Sequence, residues 1–170
     1  MQIMKTNYPI PVRERTINFP FEYYHYDKTN EFFVVPFHYH EDQQLFRVIK
    51  GSVTISANSH LITLNEGDCS VIDAYAVHAC QPCSEDTEYE SITFNLRDIY
   101  DLSMPHYSII KMVVTHQLVV QTFFTQDSDK VITDVIEDIF RHVHDDDLCT
   151  SIRLIGKLTN LFTLIVERND

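Results

Sequence analysis

Apolar and polar positions along this chain follow two different periods, and the change comes near residue 96. Before it, short runs rich in aromatic and β-branched residues predict strands over 22–26, 31–35, 44–50, 52–57, 60–64, 69–73 and 88–96. Turn-forming residues separate them: Asp27 to Asn30, Lys50-Gly51, Asn58-Ser59 and Asn65 to Asp68. Many short strands at regular spacing predict a small sandwich or barrel. Gly51 and Gly67 stand at two of the turns, where the absence of a Cβ allows a positive φ. The first twenty residues hold Pro9, Pro11, Asn18 and Pro20 and predict an arm laid over the barrel, outside its sheet.

After residue 96 the apolar positions pair up every four residues. Val131, Ile132, Val135, Ile136, Ile139, Phe140 and Val143 describe one face of a helix, with Asp127 or Ser128 as its N-cap. A second helix is predicted from Leu148 to Arg168, with Asp145, Asp146 and Asp147 placing negative charge at its N-terminus, where the dipole favours it. It carries two stripes: Leu154, Leu158, Leu161 and Ile165, then Leu148, Ile152, Ile155 and Phe162. A helix apolar over most of its circumference is either central in a core or shared with a partner. Ile155, Leu158, Leu161 and Ile165 are the candidate dimerisation residues, and Gly156 would let a second backbone approach. Residues 118–124 read as a strand or as the start of a helix. The pattern divides the chain into an arm plus barrel over 1–100 and a linker with two helices over 101–170.

Length and charge narrow the function. The 170 residues, 44% of them apolar, suffice for one ordinary domain with a core. A net charge of −12 is the wrong sign for gripping phosphates unaided. Neither a signal peptide nor a run of ~20 apolar residues is evident, which predicts a cytoplasmic protein away from membranes. Cys69, Cys80, Cys83 and Cys149 suit a reducing compartment, and Cys80-Gln-Pro-Cys83 reads as a polar loop with no second pair to complete a zinc knuckle.

The chemistry gathers in two places. His38 and His40 are two apart, so on a strand both imidazoles enter one space, followed on the same side by Gln44, Phe46 and Val48. His78 comes eleven residues after Gly67, at the start of a later strand. Three imidazoles with one oxygen ligand suit zinc, iron, nickel, copper or manganese. Gln44 offers a neutral amide oxygen, a weaker ligand than carboxylate. The alternative is a polar lining for a small molecule by His38, His40, Gln44, Phe46 and His78, or histidines satisfied within a core. Phe46, two residues beyond Gln44, is expected to face the lumen, while His25, His60, His106, His116, His142 and His144 read as surface or turn residues.

The segment His38-x-His40-xxx-Gln44-xxxxxx-Gly51 resembles the first cupin motif, with Gln in place of the usual Glu. Gly67-Asp68 followed by His78 resembles the second, with Asp73 and Tyr75 at its usual Pro and second Gly. The wider order is a proline-bearing arm, "VPFHYHEDQQLFRVIKGSVTI", "GDCSVIDAYAVHAC" and two helices. It resembles the N-terminal half of AraC/XylS-type bacterial transcriptional regulators. That resemblance implies a mainly β fold, a double-stranded β-helix (cupin or jelly-roll) barrel followed by a C-terminal α-helical pair. It also implies a small-molecule effector, a sugar or related metabolite, in the barrel, and a homodimer through the helices. DNA would be read only by a separate C-terminal unit with two helix-turn-helix motifs beyond Asp170. Such a domain has no catalytic residues and requires no cofactor; a divalent transition metal on His38, His40, Gln44 and His78 stays open beside it. The rival is a metal-dependent cupin enzyme, a dioxygenase or isomerase using His38, His40 and His78, and a stand-alone sugar-binding cupin is a third reading.

Overall fold

The computed structural model describes residues 4, 5, 14, 15, 21–57, 60–118 and 122–169. The strands are β1 (Met4–Lys5), β2 (Glu14–Arg15), β3 (Phe21–Tyr26), β4 (Val35–Tyr39), β5 (Gln43–Lys50), β6 (Ser52–Ala57), β7 (His60–Asn65), β8 (Cys69–Ile72), β9 (His78–Pro82), β10 (Glu88–Phe94) and β11 (Phe123–Phe124). The helices are α1 (Leu96–Ile99), α2 (Ser108–Val114), α3 (Lys130–His142) and α4 (Thr150–Asn169). Two sheets face each other, one ordered β1-β4-β9-β6-β7 and the other β11-β8-β5-β10-β3-β2. This is the expected barrel with a helical pair after it. None of the described helices is long and apolar enough to cross a membrane.

The six-stranded sheet is covered on both faces, and the pleat of β5 shows how. Phe46 and Val48 join the lumen core with Val53, Ile55, Leu64 and Tyr89. Leu45, the residue before Phe46, joins the outer core with Phe94, Ile136, Ile139, Leu158 and Leu161. Alternate residues of a strand point to opposite faces, so one strand serves two cores. On the outer face Gln43 accepts a hydrogen bond from the Leu96 amide (3.2 Å), tying the strand to the start of α1. Arg47 is ion-paired with buried Glu90, which also accepts from the Tyr23 hydroxyl (2.5 Å), and the guanidinium lies 4.9 Å from the Phe140 ring centroid. That bridge joins the sheet to α3.

Several expectations need correcting. The strand expected at 31–35 lies at Val35–Tyr39 instead. Asp27 accepts from the Thr29 amide (2.8 Å) and Asn30 from the Phe32 amide (2.9 Å), so turn chemistry holds 27–34 against the β propensity of Phe32 and Phe33. Parts of the arm do join the sheets. Met4–Lys5 pairs parallel with β4, Met4 opposite His38, and Glu14–Arg15 pairs antiparallel with β3. Pro9, Pro11, Asn18 and Pro20 lie outside the described residues, as do Asn58 and Ser59. Of the ambiguous stretch, Phe123 and Phe124 are strand, paired with Ser70 and Cys69. Gly67 has the positive φ expected of it (84°), and an added Cβ would come within 2.8 Å of the Gln126 side chain.

The largest difference concerns α4. Leu154, Leu158, Leu161 and Ile165 are all completely buried in the chain's own core. Of the residues expected to pair two chains, Leu158, Leu161 and Ile165 therefore face α3 and the sheet, and Ile155 is only partly exposed. The apolar groups left outside are Leu148, fully exposed, and Ile152, 77% exposed.

The N-cap position of α3 is Asp129, two residues beyond Asp127. Its carboxylate is 1% exposed, accepts from the Thr125 amide (3.2 Å) and the Ser128 hydroxyl (2.6 Å), and is ion-paired with Arg168 near the end of α4. Removing one partner of a buried pair leaves the other charge stranded. Arg168→Ala is expected to cost about 3 kcal/mol, the lower end for such pairs because Arg168 itself reaches solvent. Chemical denaturation measures this; an unchanged midpoint would show that water already satisfies Asp129.

Candidate metal centre

Two neighbouring strands of the five-stranded sheet bring the histidines together. β4 pairs antiparallel with β9, and His38 stands opposite His78 across that ladder. The register shifts between Val35 and His38, a bulge that lets both residues line the lumen despite their spacing. His40 lies one residue past the end of β4, and its carbonyl accepts from the Tyr75 amide (2.7 Å). Ring centroids are 4.1 Å apart for His38 and His78, 5.0 Å for His40 and His78, and 5.6 Å for His38 and His40.

One ring nitrogen from each of the three lies within 4.8 Å of the other two. Nδ1 meets a backbone carbonyl in every case: Pro36 for His38 (2.9 Å), Asp42 for His40 (2.8 Å) and Ala76 for His78 (2.9 Å). A carbonyl only accepts, so each Nδ1 carries the hydrogen and each Nε2 keeps its lone pair. Nε2 of His40, Nε2 of His78 and Oε1 of Gln44 are buried without a hydrogen-bond partner. Buried acceptors left unpaired cost about 1–3 kcal/mol each, and several converging on one space need an account. A cation answers all of them at once, and carbonyl-anchored imidazoles are the usual second support of bound metals. The donor set of three imidazole nitrogens and an amide oxygen fits a divalent transition metal.

The surrounding cavity measures about 30 Å³. That is room for roughly two water-sized groups. Gln44, His38, His40, His78 and Thr93 supply its polar lining. Phe46, expected to face the lumen, does so, packed 5.1 Å from the Tyr89 ring. Tyr89 stacks on Tyr26 (4.6 Å between centroids) and donates its hydroxyl to the Phe33 carbonyl (2.6 Å). Burial pushes the Tyr26 and Tyr89 phenols well above their ordinary range. Tyr24 and Tyr26 line the cavity too, and the sequence singled out neither. Their only signal is alternation along 22–26, which shows two side chains sharing a face but not which face. Phe94 lies in the outer core, and Tyr75 is 60% exposed.

The CxxC stretch is not a polar loop. Cys80 sits in β9, fully buried on the lumen side, and its thiol is pushed up to about 12 by burial. Cys83 is exposed. Tyr75, where the second motif usually has Gly, adopts φ 63° and so takes up a conformation that side chains rarely adopt. Of the histidines assigned to surface or turn, His116 meets Asp73 at 3.0 Å.

Burial holds the His78 imidazole down at about 3, with the neighbouring His38 adding to the effect, and burial lowers His38 as well. The folded, metal-free chain therefore binds fewer protons than the unfolded chain below about pH 6.5. The contribution to stability is complete above the ordinary imidazole value and is lost as pH falls from about 6.5 toward 3, by at most ~1.4 kcal/mol per pH unit for each group. Denaturation midpoints of the metal-free protein at pH 7.5, 6 and 4.5 should fall in that order. His78→Gln should flatten the slope, and an equal slope in that variant would assign it to other groups.

The paired sheets and the histidines on β4 and β9 occupy a segment recognisable by family. Residues 28–89 match the family model described as the cupin domain. Among solved structures, the cupin barrel is similar to forms of Bacillus subtilis oxalate decarboxylase. A four-residue mutant of that enzyme aligns with TM-score 0.40 and 16% identity, over 46% of this chain and 22% of its own. The enzyme at pH 4.6 aligns with TM-score 0.35 and 19% identity, over 36% of this chain and 18% of its own. A structure concerned with its Mn(II) centres gives 0.39 and 15%, over 46% and 22%. The chain thus spans about a fifth of the length of those enzymes. Among curated proteins none matches the sequence.

Proposed function

We propose that this cupin barrel holds a divalent transition metal on Nε2 of His38, His40 and His78, with Gln44 beside it, and serves as the ligand-sensing half of an AraC-type regulator. The observation that carries the metal is the set of three carbonyl-anchored imidazoles, converging with two Nε2 atoms and one amide oxygen left unpaired. The regulator reading rests on the order of the arm, both histidine motifs and the two helices along the sequence. Placement supports it in one respect. The helices pack on the outer face of the sheet whose lumen face carries Gln44 and Phe46, so a change in the lumen has a short route to them. A ligand shifts such an arrangement only by its difference in affinity for the two states.

The effector has a size limit. With room for roughly two water-sized groups, the cavity does not enclose a whole sugar as it stands, so a sugar effector would have to reach out of it or displace Phe46 or the tyrosines around it. Pairing of two chains, in this proposal, falls on the exposed Leu148 and Ile152 and not on the buried stripe of α4. Sedimentation equilibrium tests it, and a monomer at every concentration rules the pairing out.

Elemental analysis of protein purified without a metal-affinity column should find close to one equivalent of a first-row transition metal. Protein that neither carries metal nor takes up Zn(II) or Co(II) on dialysis would end the metal reading. The regulator reading has a separate test. If the native reading frame encodes two basic helix-turn-helix units after residue 170 it gains its missing half, and a frame that stops without them removes it.

A further inference from the structure

We propose that the loaded barrel binds metal together with a small oxyanion, of the size of formate or acetate, because Gln44 leaves the site without a negative charge. This inference rests on the metal reading above and concerns what that site takes as its second ligand.

The argument is one of charge. The group of residues able to hold an ion contains three neutral histidines and no Asp, Glu or Cys among the described residues. Gln44, at the fourth position, adds an amide oxygen that is buried and unpaired but carries no charge. The remaining walls are the hydroxyl of Thr93, phenols, a thiol and hydrocarbon, none of them ordinarily charged at neutral pH. Asp42, beside His40, meets that ring through its backbone carbonyl, and its carboxylate is not part of the cluster. A divalent ion here would bring two positive charges into a poorly hydrated space whose own donor atoms carry no charge to offset them, the Asp42 and Glu22 carboxylates acting only from outside the cluster. Uncompensated buried charge is strongly unfavourable. An anion entering with the metal removes most of that cost. By linkage the two ligands then strengthen each other's binding by the same factor.

Space fixes the size of the anion. With the ion among the three Nε2 atoms, a cavity of about 30 Å³ leaves room for roughly one further small group. A single carboxylate oxygen pair meets that limit, and a longer chain would have to point out of the cavity or move Phe46.

The test uses metal-free protein at pH 6, where a metal-bound water is mostly un-ionised and cannot itself supply the anion. Zn(II) and Co(II) binding is measured by competition with a chromophoric chelator, in a buffer of weakly coordinating ions, with and without formate or acetate. In wild type the carboxylate should tighten metal binding at least tenfold, and the visible spectrum of the Co(II) form should shift on adding it. Gln44→Glu supplies the charge from the chain, so it should bind metal tightly without carboxylate and lose most of the tightening. Equal affinity with and without carboxylate in wild type overturns the proposal, as does a Gln44→Glu protein that keeps the full wild-type tightening. Absence of metal binding under any of these conditions would instead overturn the metal reading on which the proposal rests, so the two failures are told apart.

Discussion

Leu161→Asp abolishes the fold rather than separating two chains. Leu161 is completely buried, in a cluster that also holds Leu158, Ile139, Phe140 and Leu45. Truncating a leucine in such a place costs about 2–5 kcal/mol through lost burial and the cavity left behind. An aspartate adds the cost of a carboxylate with no partner, or of holding it protonated, so the sum reaches about 5 kcal/mol or more. Domains of this size are stable by only about 5–15 kcal/mol. Circular dichroism and gel filtration should show loss of the cooperative unfolding transition and an expanded or aggregated chain, and Leu158→Asp should behave alike. A well-folded monomer would mean that the stripe faces a partner chain and not the sheet. Ile152→Asp serves as the comparison, since Ile152 is 77% exposed and its replacement should leave the fold intact.

His78→Ala is expected to remove the proposed metal binding while leaving most of the fold. His78 is the most buried of the three proposed ligands, 1% exposed, and stands opposite His38 in the β4–β9 ladder. Second supports of metal ligands are commonly worth 10–100-fold in affinity, so loss of a ligand itself should exceed about 100-fold. Titration with Co(II), followed by its visible bands, measures the loss, and thermal unfolding checks that the chain stays folded. Metal should raise the unfolding temperature of wild type, by mass action on the folded state, and should have little effect on the variant. Equal stabilisation of both proteins by metal would place the ion elsewhere. A histidine that served only to fill the barrel would give a destabilised variant, without any difference in response to metal.

Much of the barrel was legible because its signals are local. Gly51 and Gly67 both have the positive φ expected of them, and the 44–50 and 52–57 strands were placed to within a residue. The grouping of the candidate residues was legible for the same reason, since His38, His40, Gln44 and Phe46 share the parity of one stretch and line one cavity, and His78 begins the later strand β9. What failed depends on neighbours distant in sequence. Phe32 and Phe33 read as strand until Asp27 and Asn30 fold the loop back on itself. Cys80 and Pro82 read as loop, yet β9 holds them because Ile55 and Val53 pair with them across the sheet. The stripe of α4 was visible as apolar, but periodicity records only that a face is covered and not by what. Here α3 and the back of the six-stranded sheet cover it. Tyr24, Tyr26 and Tyr89 enter the lumen from strands whose two faces are both apolar, so alternation alone could not say which side was the pocket.

The alternation along β5 has a consequence for how the molecule can be changed. Positions 44, 46 and 48 belong to the lumen, while 43, 45 and 47 belong to the contacts with the helices. The two sets share a backbone and no side-chain contact surface. A designer can therefore redraw the pocket at the even positions while the odd ones keep the helices seated, or regraft the helical half while the pocket stays as it is. An insertion or deletion of one residue within this strand would exchange the two sets at once, and would leave neither half with the side chains it needs.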